Sequence, residues 1–281
     1  MFNKLRVTFI SLFFLFLFFS EQGLSKTSSV AFIAFGDSGL GNSDQKKVAA
    51  TISKFCATEQ CDFVALLGDN IYPSGVESVD DPQWQTKFEK PYASLKLKFY
   101  PTLGNHDYKG NPQAQIDYSD FSNKWKFPSR YYSYKRKFVE FFVIDSEVFD
   151  DEQELWLKEK IALSEADWKI VYGHKPIYSH GFHGDTPELK EKLLPLLRNK
   201  VDFYFSGHDH NLEYLYKGYS PHFVVSGAGS ETRPVGKGKS TLFSASELGF
   251  GHLILEKEKA VFRFIGQSGD ALFKKVKSSE R

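Results

Sequence analysis

Side chains that could bind a metal ion or move a proton follow directly after five apolar runs of this chain. Each group begins with a glycine, and together the groups hold carboxylates, a phenol, an amide and six of the eight histidines. The five groups are Gly36 to Gly39, Gly68 to Tyr72, Gly104 to Asp107, Gly173 to His183 and Gly207 to His210. Taken singly, each is more often an ordinary polar turn, because glycine and aspartate are common turn formers. The concentration of titratable residues in a few such places favours one shared site.

The donor types indicate a metal centre. Carboxylate, phenolate, amide oxygen and imidazole are hard to borderline ligands, which suit iron, manganese or zinc better than a soft metal. They are too many for one tetrahedral ion. Two ions that share a bridging carboxylate would use them all, and such pairs hydrolyse phosphate esters. The residues therefore favour a centre of two metal ions, an arrangement that suits the hydrolysis of phosphate esters.

These groups can meet only if the preceding elements bring them together. Eight apolar, β-branched or aromatic runs predict strands: Val30 to Phe35, Phe63 to Leu67, Phe99 to Leu103, Phe138 to Ile144, Trp168 to Tyr172, Val201 to Phe205, Phe223 to Val225 and His252 to Leu255. Helical patterns start after Asn42-Ser43 and after Asp185-Thr186-Pro187, and a third covers Glu154 to Ser164. The last strand opens a hairpin that turns around residues 257–259. Alternating strands and helices predict a partly parallel sheet, whose ligand crevice lies outside the carboxyl ends of the strands.

The first 25 residues have the pattern of an export signal. Lys4 and Arg6 precede an uncharged, phenylalanine-rich segment from Val7 to Phe19, and small residues near position 25 suit cleavage. This apolar segment has 13 residues, whereas a membrane-spanning helix needs about 20. An uncleaved membrane anchor is the alternative. We predict a signal peptide over residues 1–25 and one domain over residues 26–281.

The charge of the remaining chain is balanced. Removal of residues 1–25 takes away two of the 36 basic and one of the 35 acidic residues, which leaves 34 of each. This balance gives no reason to expect a nucleic acid or an anionic membrane surface as a partner.

The only two cysteines, Cys56 and Cys61, lie close together between a helical pattern and a strand. In an oxidising compartment they would form a local disulfide. Two cysteines this close could also bind a metal, but the sequence has no second pair to complete a zinc site. We therefore predict a structural disulfide.

In its five polar groups the chain resembles the purple acid phosphatases, the iron-containing branch of the calcineurin-like metallophosphoesterases. In size it resembles their small tartrate-resistant type. The motifs of that family occur here, in order, as Asp37-Ser38-Gly39, Gly68-Asp69-Asn70-Ile71-Tyr72, Gly104-Asn105-His106-Asp107, Val171-Tyr172-Gly173-His174 and Gly207-His208-Asp209-His210. They extend over about two thirds of the chain and match all seven expected ligand positions. The resemblance implies the metallophosphoesterase fold, a four-layer α/β/β/α sandwich with mixed sheets.

The resemblance also implies a dinuclear metal centre. A first ion, ferric iron, would be held by Asp37, Tyr72 and His210. A second, divalent ion, which could be Fe(II), Zn or Mn, would be held by Asn105, His174 and His208, while Asp69 would bridge the two ions. Members of the wider superfamily lack the tyrosine. An anionic phenolate at this position favours a harder, more highly charged ion and would colour the protein.

The implied activity is that of an acid phosphatase on phosphate monoesters, with a metal-bound hydroxide as the nucleophile. Asn105, His106 and His183 would bind the substrate phosphate. The leaving group needs a proton, for which His183 is the first candidate. His106 is also expected to be catalytic, and His180 is a rival because sequence spacing does not reveal loop geometry. Asp107 is expected to orient a histidine.

Two other functions stay open at this point. One is a phosphodiesterase or nucleotide phosphatase on the same metal core, and the other is a non-catalytic iron-binding protein. His106 and His183 argue against the latter, since neither is needed merely to hold metal. We expect a monomer that acts on small phosphate esters, binds no nucleic acid and keeps no stable membrane association after signal removal. Its destination would be a periplasm, a secretory lumen or the medium.

Overall fold

Two mixed β-sheets, packed face to face, carry the polar groups. The computed structural model describes Met1 and residues 28–279, so the predicted signal segment lies, apart from Met1, outside the described residues. The strands are β1 Val30–Phe35, β2 Phe63–Leu66, β3 Lys98–Pro101, β4 Tyr132–Arg136, β5 Val139–Val143, β6 Trp168–Tyr172, β7 Phe203–Ser206, β8 Leu212–Leu215, β9 His222–Ser226, β10 Thr241–Ala245, β11 Gly249–Leu255, β12 Lys259–Gly266 and β13 Ala271–Ser278.

The strand order gives each sheet one set of neighbouring parallel strands. One sheet has the order β13-β12-β11-β1-β2-β3, and the other has the order β10-β8-β9-β7-β6-β5-β4. Strands β1, β2 and β3 run parallel in the first sheet. Strands β5, β6, β7 and β9 run parallel in the second. Within each parallel set the carboxyl ends lie at the same edge, so the loops that follow these strands gather there.

Aromatic side chains fill the space between the sheets. Phe32 and Phe63 of the first sheet meet Phe141 of the second, with ring centroids 5.2 to 5.3 Å apart. All three rings are at most 1% exposed. Replacing one such phenylalanine by alanine typically costs about 3–5 kcal/mol. This packing fixes the sheets against each other and so fixes the distance between the loops of the two sheets.

Helices cover the outer faces of both sheets. They are α1 Ser43–Cys56, α2 Pro112–Asp117, α3 Asp151–Leu163, α4 Pro187–Lys192 and α5 Leu194–Leu197. Helix α1 buries Val48 and Ile52 in the core of the first sheet. Helices α3, α4 and α5 bury leucines and an isoleucine in a second cluster with residues of β5, β6 and β7. The result is the four-layer α/β/β/α arrangement with mixed sheets that the resemblance implied.

All eight predicted strands are present, and so is the hairpin of β11 and β12. Helix α3 begins three residues before the predicted start because the side chain of Asp150 accepts a hydrogen bond from the amide of Gln153 and caps it. The helix predicted after Thr186 is split into α4 and α5, because Pro195 has no amide hydrogen to donate. Cys56 and Cys61 form the predicted disulfide. No helix among residues 28–279 is long and apolar enough to cross a membrane.

Candidate metal centre

All five predicted polar groups follow strands whose carboxyl ends lie at one edge of the sandwich. Asp37 follows β1, Asp69 follows β2 and Asn105 comes a few residues after β3. In the facing sheet, His174 follows β6 and His208 follows β7. The loops of the two sheets meet across this edge, since the amide of His208 donates a hydrogen bond of 2.8 Å to Asp37 Oδ2.

Asp37, Tyr72 and His210 form one set of converging donors, which we call the first pocket. Tyr72 Oη lies 3.0 Å from Asp37 Oδ1 and 3.1 Å from His210 Nε2. His210 Nε2 lies 3.3 Å from Asp37 Oδ1. The three side chains are 0%, 6% and 4% exposed, so their polar atoms are removed from water and point at a common centre.

Asn105, His174 and His208 form a second set, the second pocket. His174 Nε2 lies 3.2 Å from Asn105 Oδ1 and 3.2 Å from His208 Nδ1. The other ring nitrogen of His174, Nδ1, is 2.8 Å from the carbonyl oxygen of Leu67, which sets the direction of the ring. His174 is fully buried, whereas Asn105 and His208 are partly exposed.

Asp69 lies between the two pockets. Its Oδ2 is 3.5 Å from His174 Nε2, and donor atoms of Asp37, Asp69 and His174 all lie within 4.8 Å of one another. Its Oδ1 accepts a hydrogen bond of 2.8 Å from the amide of His106. The structure thus brings all seven predicted metal ligands together in two groups with a carboxylate between them.

The backbone around these ligands is tight and strained. Asp37, Asp69 and His208 have φ angles of 55°, 50° and 69°, a region that residues other than glycine seldom adopt. Such strain is often found at functional sites. The glycines permit close approach of the loops: a Cβ on Gly104 would lie 2.2 Å from Asp69 Oδ1, and one on Gly207 would lie 2.4 Å from Asp37 Oδ2.

The buried charges of this centre call for a cation. Burial acts to raise the pKa of Asp37, but the neighbouring histidines, His174 foremost, hold it below its usual value. Burial acts to lower the pKa of His174, but the charges of Asp69 and Asp37 raise it to about 9. Burial, with the His174 charge beside it, lowers the pKa of His208 to about 2.

Among the described residues, no lysine or arginine forms an ion pair with Asp37 or Asp69. Burial and these two carboxylates raise the pKa of Tyr72, so its phenolate needs positive charge beside it to form. Two buried carboxylates, a phenol, an amide oxygen and three imidazoles make a donor set that fits two hard or borderline metal ions.

The three predicted catalytic histidines lie in different surroundings. The ring of His106 lies 4.5 Å from that of Tyr72, and its Nδ1 is 2.6 Å from the carbonyl oxygen of Pro73. The exposed ring of His183 stacks on that of His208 at 4.1 Å. His180 instead points its Nδ1 at Glu213 Oε1, 2.7 Å away. His106 and His183 therefore contact predicted metal ligands with their rings, whereas the ring of His180 contacts a buried glutamate.

Asp107 supports the loops and does not orient a histidine ring, contrary to the expectation above. This buried carboxylate accepts hydrogen bonds from the amides of Gly104 and Asn70, at 2.8 and 3.1 Å. It also accepts one of 2.8 Å from Gln115 Nε2. It thereby ties the loop that carries Asn105 to the loop that carries Asp69.

One segment at the site was not predicted from the sequence. Strand β9 also ends at this edge, and its loop contributes Ser230, which donates a hydrogen bond to the carbonyl oxygen of Asp37, and Arg233, whose amide donates to the carbonyl oxygen of His210. Gly227 and Gly229 after an apolar run gave the same signal as the five recognised groups.

Comparisons with known proteins agree with this geometry. A family model described as calcineurin-like phosphoesterase matches residues 30–212. Tartrate-resistant acid phosphatase type 5 of Mus musculus is 33% identical over 90% of this chain and 91% of that protein. Purple acid phosphatase 7 of Arabidopsis thaliana is 32% identical over 96% of each chain.

Two solved structures show the same fold. A Plasmodium protein described as GAP50, the anchor in the inner membrane complex, superimposes with a TM-score of 0.81 at 26% identity over 90% of each chain. A purple acid phosphatase from yellow lupin seeds superimposes with a TM-score of 0.75 at 17% identity, over 90% of this chain and 54% of that one.

Proposed function

Because the chain belongs to the calcineurin-like phosphoesterase family, in its purple acid phosphatase branch, we propose that it hydrolyses phosphate monoesters at a centre of one ferric and one divalent metal ion. The observation that carries this proposal is the convergence of six buried or half-buried donors around Asp69. A single ion would leave several of these donors without a partner, and buried polar groups without partners are costly.

The donors of the two pockets suit different ions. The first pocket offers a carboxylate and a phenol, which favour Fe(III). The second pocket offers an amide and two imidazoles, which suit Fe(II), Zn or Mn. When bound, two such ions would neutralise the charge of a phosphate ester and lower the pKa of water.

The histidines around the centre supply the remaining chemistry. We assign Asn105, His106 and His183 to the binding of the substrate phosphate, because they border the pockets on their exposed side. His183 is the proposed general acid for the leaving group, since its ring stacks on His208 and reaches solvent. His180 is the weaker candidate, because its ring contacts the buried Glu213, whereas the ring of His183 stacks on the predicted ligand His208.

A His183→Ala variant tests the general acid. We expect turnover of an ester with a poor leaving group to fall by about 10²–10⁴-fold, the usual contribution of general acid catalysis, while both metal ions stay bound. The matched His180→Ala variant should lose much less. Unchanged turnover in the His183 variant together with a large loss in the His180 variant would transfer the role to His180.

Rates on a monoester and a diester separate the phosphatase from a phosphodiesterase. We expect a higher kcat/KM on phenyl phosphate than on bis(phenyl) phosphate, because His106 and His183 would bind phosphate oxygens that a diester has esterified. The opposite order would support the phosphodiesterase, and a chelator should abolish either activity.

A non-catalytic role is the other alternative. The Plasmodium anchor protein shares this fold, so the fold alone does not decide between catalysis and binding. His106 and His183 favour catalysis, since holding metal requires neither of them. Protein loaded with both metals that hydrolyses no phosphate ester would overturn the proposed activity.

We also propose that residues 1–25 are removed during export and that the mature protein is a monomer in a periplasm, a secretory lumen or the medium. The Cys56–Cys61 disulfide supports an oxidising compartment. Sequencing the N-terminus of protein recovered from the native host tests the cleavage. A chain that still begins at Met1 would contradict it.

A further inference from the structure

The segment after β9 forms one wall of the mouth of the metal centre. The amide of Arg233 donates a hydrogen bond of 2.7 Å to the carbonyl oxygen of His210. Three residues further on, the amide of Gly236 donates one of 2.9 Å to the carbonyl oxygen of His180. The segment is therefore attached at one point to the first pocket and at another to the loop that carries His183.

The guanidinium of Arg233 is held beside the proposed general acid. Its Nη1 lies 2.9 Å from His183 Nε2, and its Cζ lies 5.6 Å from the centre of the Phe182 ring. That ring is 73% exposed. The Arg233 side chain is itself 32% exposed, and among the described residues its remaining charged neighbour is Glu231, 3.7 Å from Nε. Among the described residues Nη2 of Arg233 makes no hydrogen bond, so its hydrogens are available to a ligand.

The segment around Arg233 is strongly basic. Residues 233–239, which we call the basic rim, read RPVGKGK, with Arg233, Lys237 and Lys239 and no acidic residue. Both lysines are exposed. Glu231, 3.7 Å from Arg233 Nε, offsets only one of these three positive charges. A net positive charge therefore borders the site on the side of His183.

The shape of the basic rim is fixed by buried groups beneath it. His180 and Thr241 both contact the fully buried Glu213, through Nδ1 at 2.7 Å and Oγ1 at 3.2 Å. A Cβ on Gly238 would lie 2.2 Å from His180 Nε2, so the rim rests directly on this ring. This contact gives His180 a positioning role.

We infer that the basic rim binds a second anionic group of the substrate, one carried by the leaving group. This inference rests on the proposed function, since it names the class of ester that the phosphatase prefers. With the scissile phosphate at the two pockets and His183 beside the leaving oxygen, a carboxylate or second phosphate on the leaving group reaches Arg233. The guanidinium can pair with both oxygens of such a group, and the Phe182 ring offers apolar surface to its organic part.

Two aryl phosphates test this specificity. Phenyl phosphate and 3-carboxyphenyl phosphate release phenols of similar acidity, so they differ mainly in the added charge. We expect kcat/KM to be about tenfold higher for the carboxylated ester, the lower end for a charge-assisted hydrogen bond. Arg233→Gln should abolish this preference and Arg233→Lys should keep part of it. Lys160→Gln, an exposed lysine in the last turn of α3, should keep all of it.

A binding measurement separates failure of the rim from failure of the phosphatase. Phenylphosphonate and 3-carboxyphenylphosphonate cannot be hydrolysed, and their affinities for the metal-loaded protein are measured by calorimetry. If neither ester is hydrolysed but the protein binds the carboxylated phosphonate more tightly, and this preference depends on Arg233, the phosphatase would be refuted and the rim supported. Normal turnover with equal kcat/KM for the two esters, or with a preference that survives Arg233→Gln, would refute the rim alone. Neither binding nor turnover would refute both.

Discussion

The two pockets of the metal centre are built in the same way but carry different charge. Both take their donors from loops that follow strands of the facing sheets, and they share Asp69. The first pocket holds a carboxylate and a phenol with one imidazole, all at most 6% exposed. The second holds an amide and two imidazoles, and two of its three residues are partly exposed.

This difference shows how one fold can separate two ions. Anionic ligands in a pocket shielded from water stabilise a highly charged ion, whereas neutral ligands suit a divalent ion. The partly exposed second pocket also lies next to His183, through the stacking of that ring on His208. In the proposed reaction the first pocket would serve mainly to hold its ion, and the second would border the place where the leaving group departs.

Removal of the shared carboxylate should have the largest effect. Asp69→Asn keeps a residue type that tolerates the observed φ of 50°, but it takes away the charge common to both pockets. We expect loss of both ions and a fall in kcat/KM of roughly a thousandfold or more, since metal ions contribute several kcal/mol to catalysis. Metal content and rates check this, with the exposed Asp117→Asn as control. A variant that keeps both ions would show that Asp69 is not shared.

His174→Ala should separate the two pockets. His174 is a proposed ligand of the ion in the second pocket only. We therefore expect its replacement to remove the divalent ion and to leave the iron in place. Activity should fall by roughly a hundredfold or more because one of the two ions is missing. Metal analysis and the visible spectrum measure the two ions independently. If iron is lost together with the divalent ion, the two pockets do not bind their ions independently, which contradicts this prediction.

Asp107→Asn should weaken the second pocket more than the first. The hydrogen-bond partners of this carboxylate at Gly104, Asn70 and Gln115 are all donors. The side-chain NH₂ of an asparagine would therefore face at least one N–H, with which it cannot form a hydrogen bond. We expect the affinity of the second pocket for its ion to fall by about 10–100-fold, the usual effect of losing such support. Titration with the divalent metal measures this. An equal loss of iron would contradict the assignment.

The Cys56→Ser, Cys61→Ser double variant should leave both pockets unchanged. The disulfide closes a short loop between α1 and β2, so its removal should lower the free energy of unfolding by about 2 kcal/mol. Denaturant unfolding measures that loss. Metal content and kcat/KM should match those of the unaltered protein, and a lost ion would show that the disulfide also shapes the centre.

The sequence predicted the central strands well, and it also predicted which side chains would gather at their ends, because both are locally encoded. Continuous apolar runs are typical of strands buried on both faces, and five of the eight predicted runs were followed by a glycine and a candidate ligand. Strands β4 and β13 were missed because charged residues interrupt the apolar pattern: Lys135 and Arg136 in β4, and Lys274, Lys275 and Lys277 in β13. Such charges are common in strands at the edge of a sheet, and β4 and β13 lie at edges.

The contacts around the ligands could not be predicted in the same way. His180 and His183 are three residues apart, yet one ring faces Glu213 and the other faces His208. That outcome depends on residues about thirty positions away along the chain. Arg233 was missed for a related reason, since arginine is not a usual metal ligand and this side chain contributes through its position beside His183.

Metal analysis of the purified protein, combined with its visible spectrum, tests the central claim most directly. We predict two metal ions per chain, one of them iron, and a violet band that disappears in Tyr72→Phe. The band should persist in the control Tyr214→Phe, a buried tyrosine that contacts His222 away from the pockets. A protein that binds fewer than two ions, or a band that survives Tyr72→Phe, would contradict the two-pocket account.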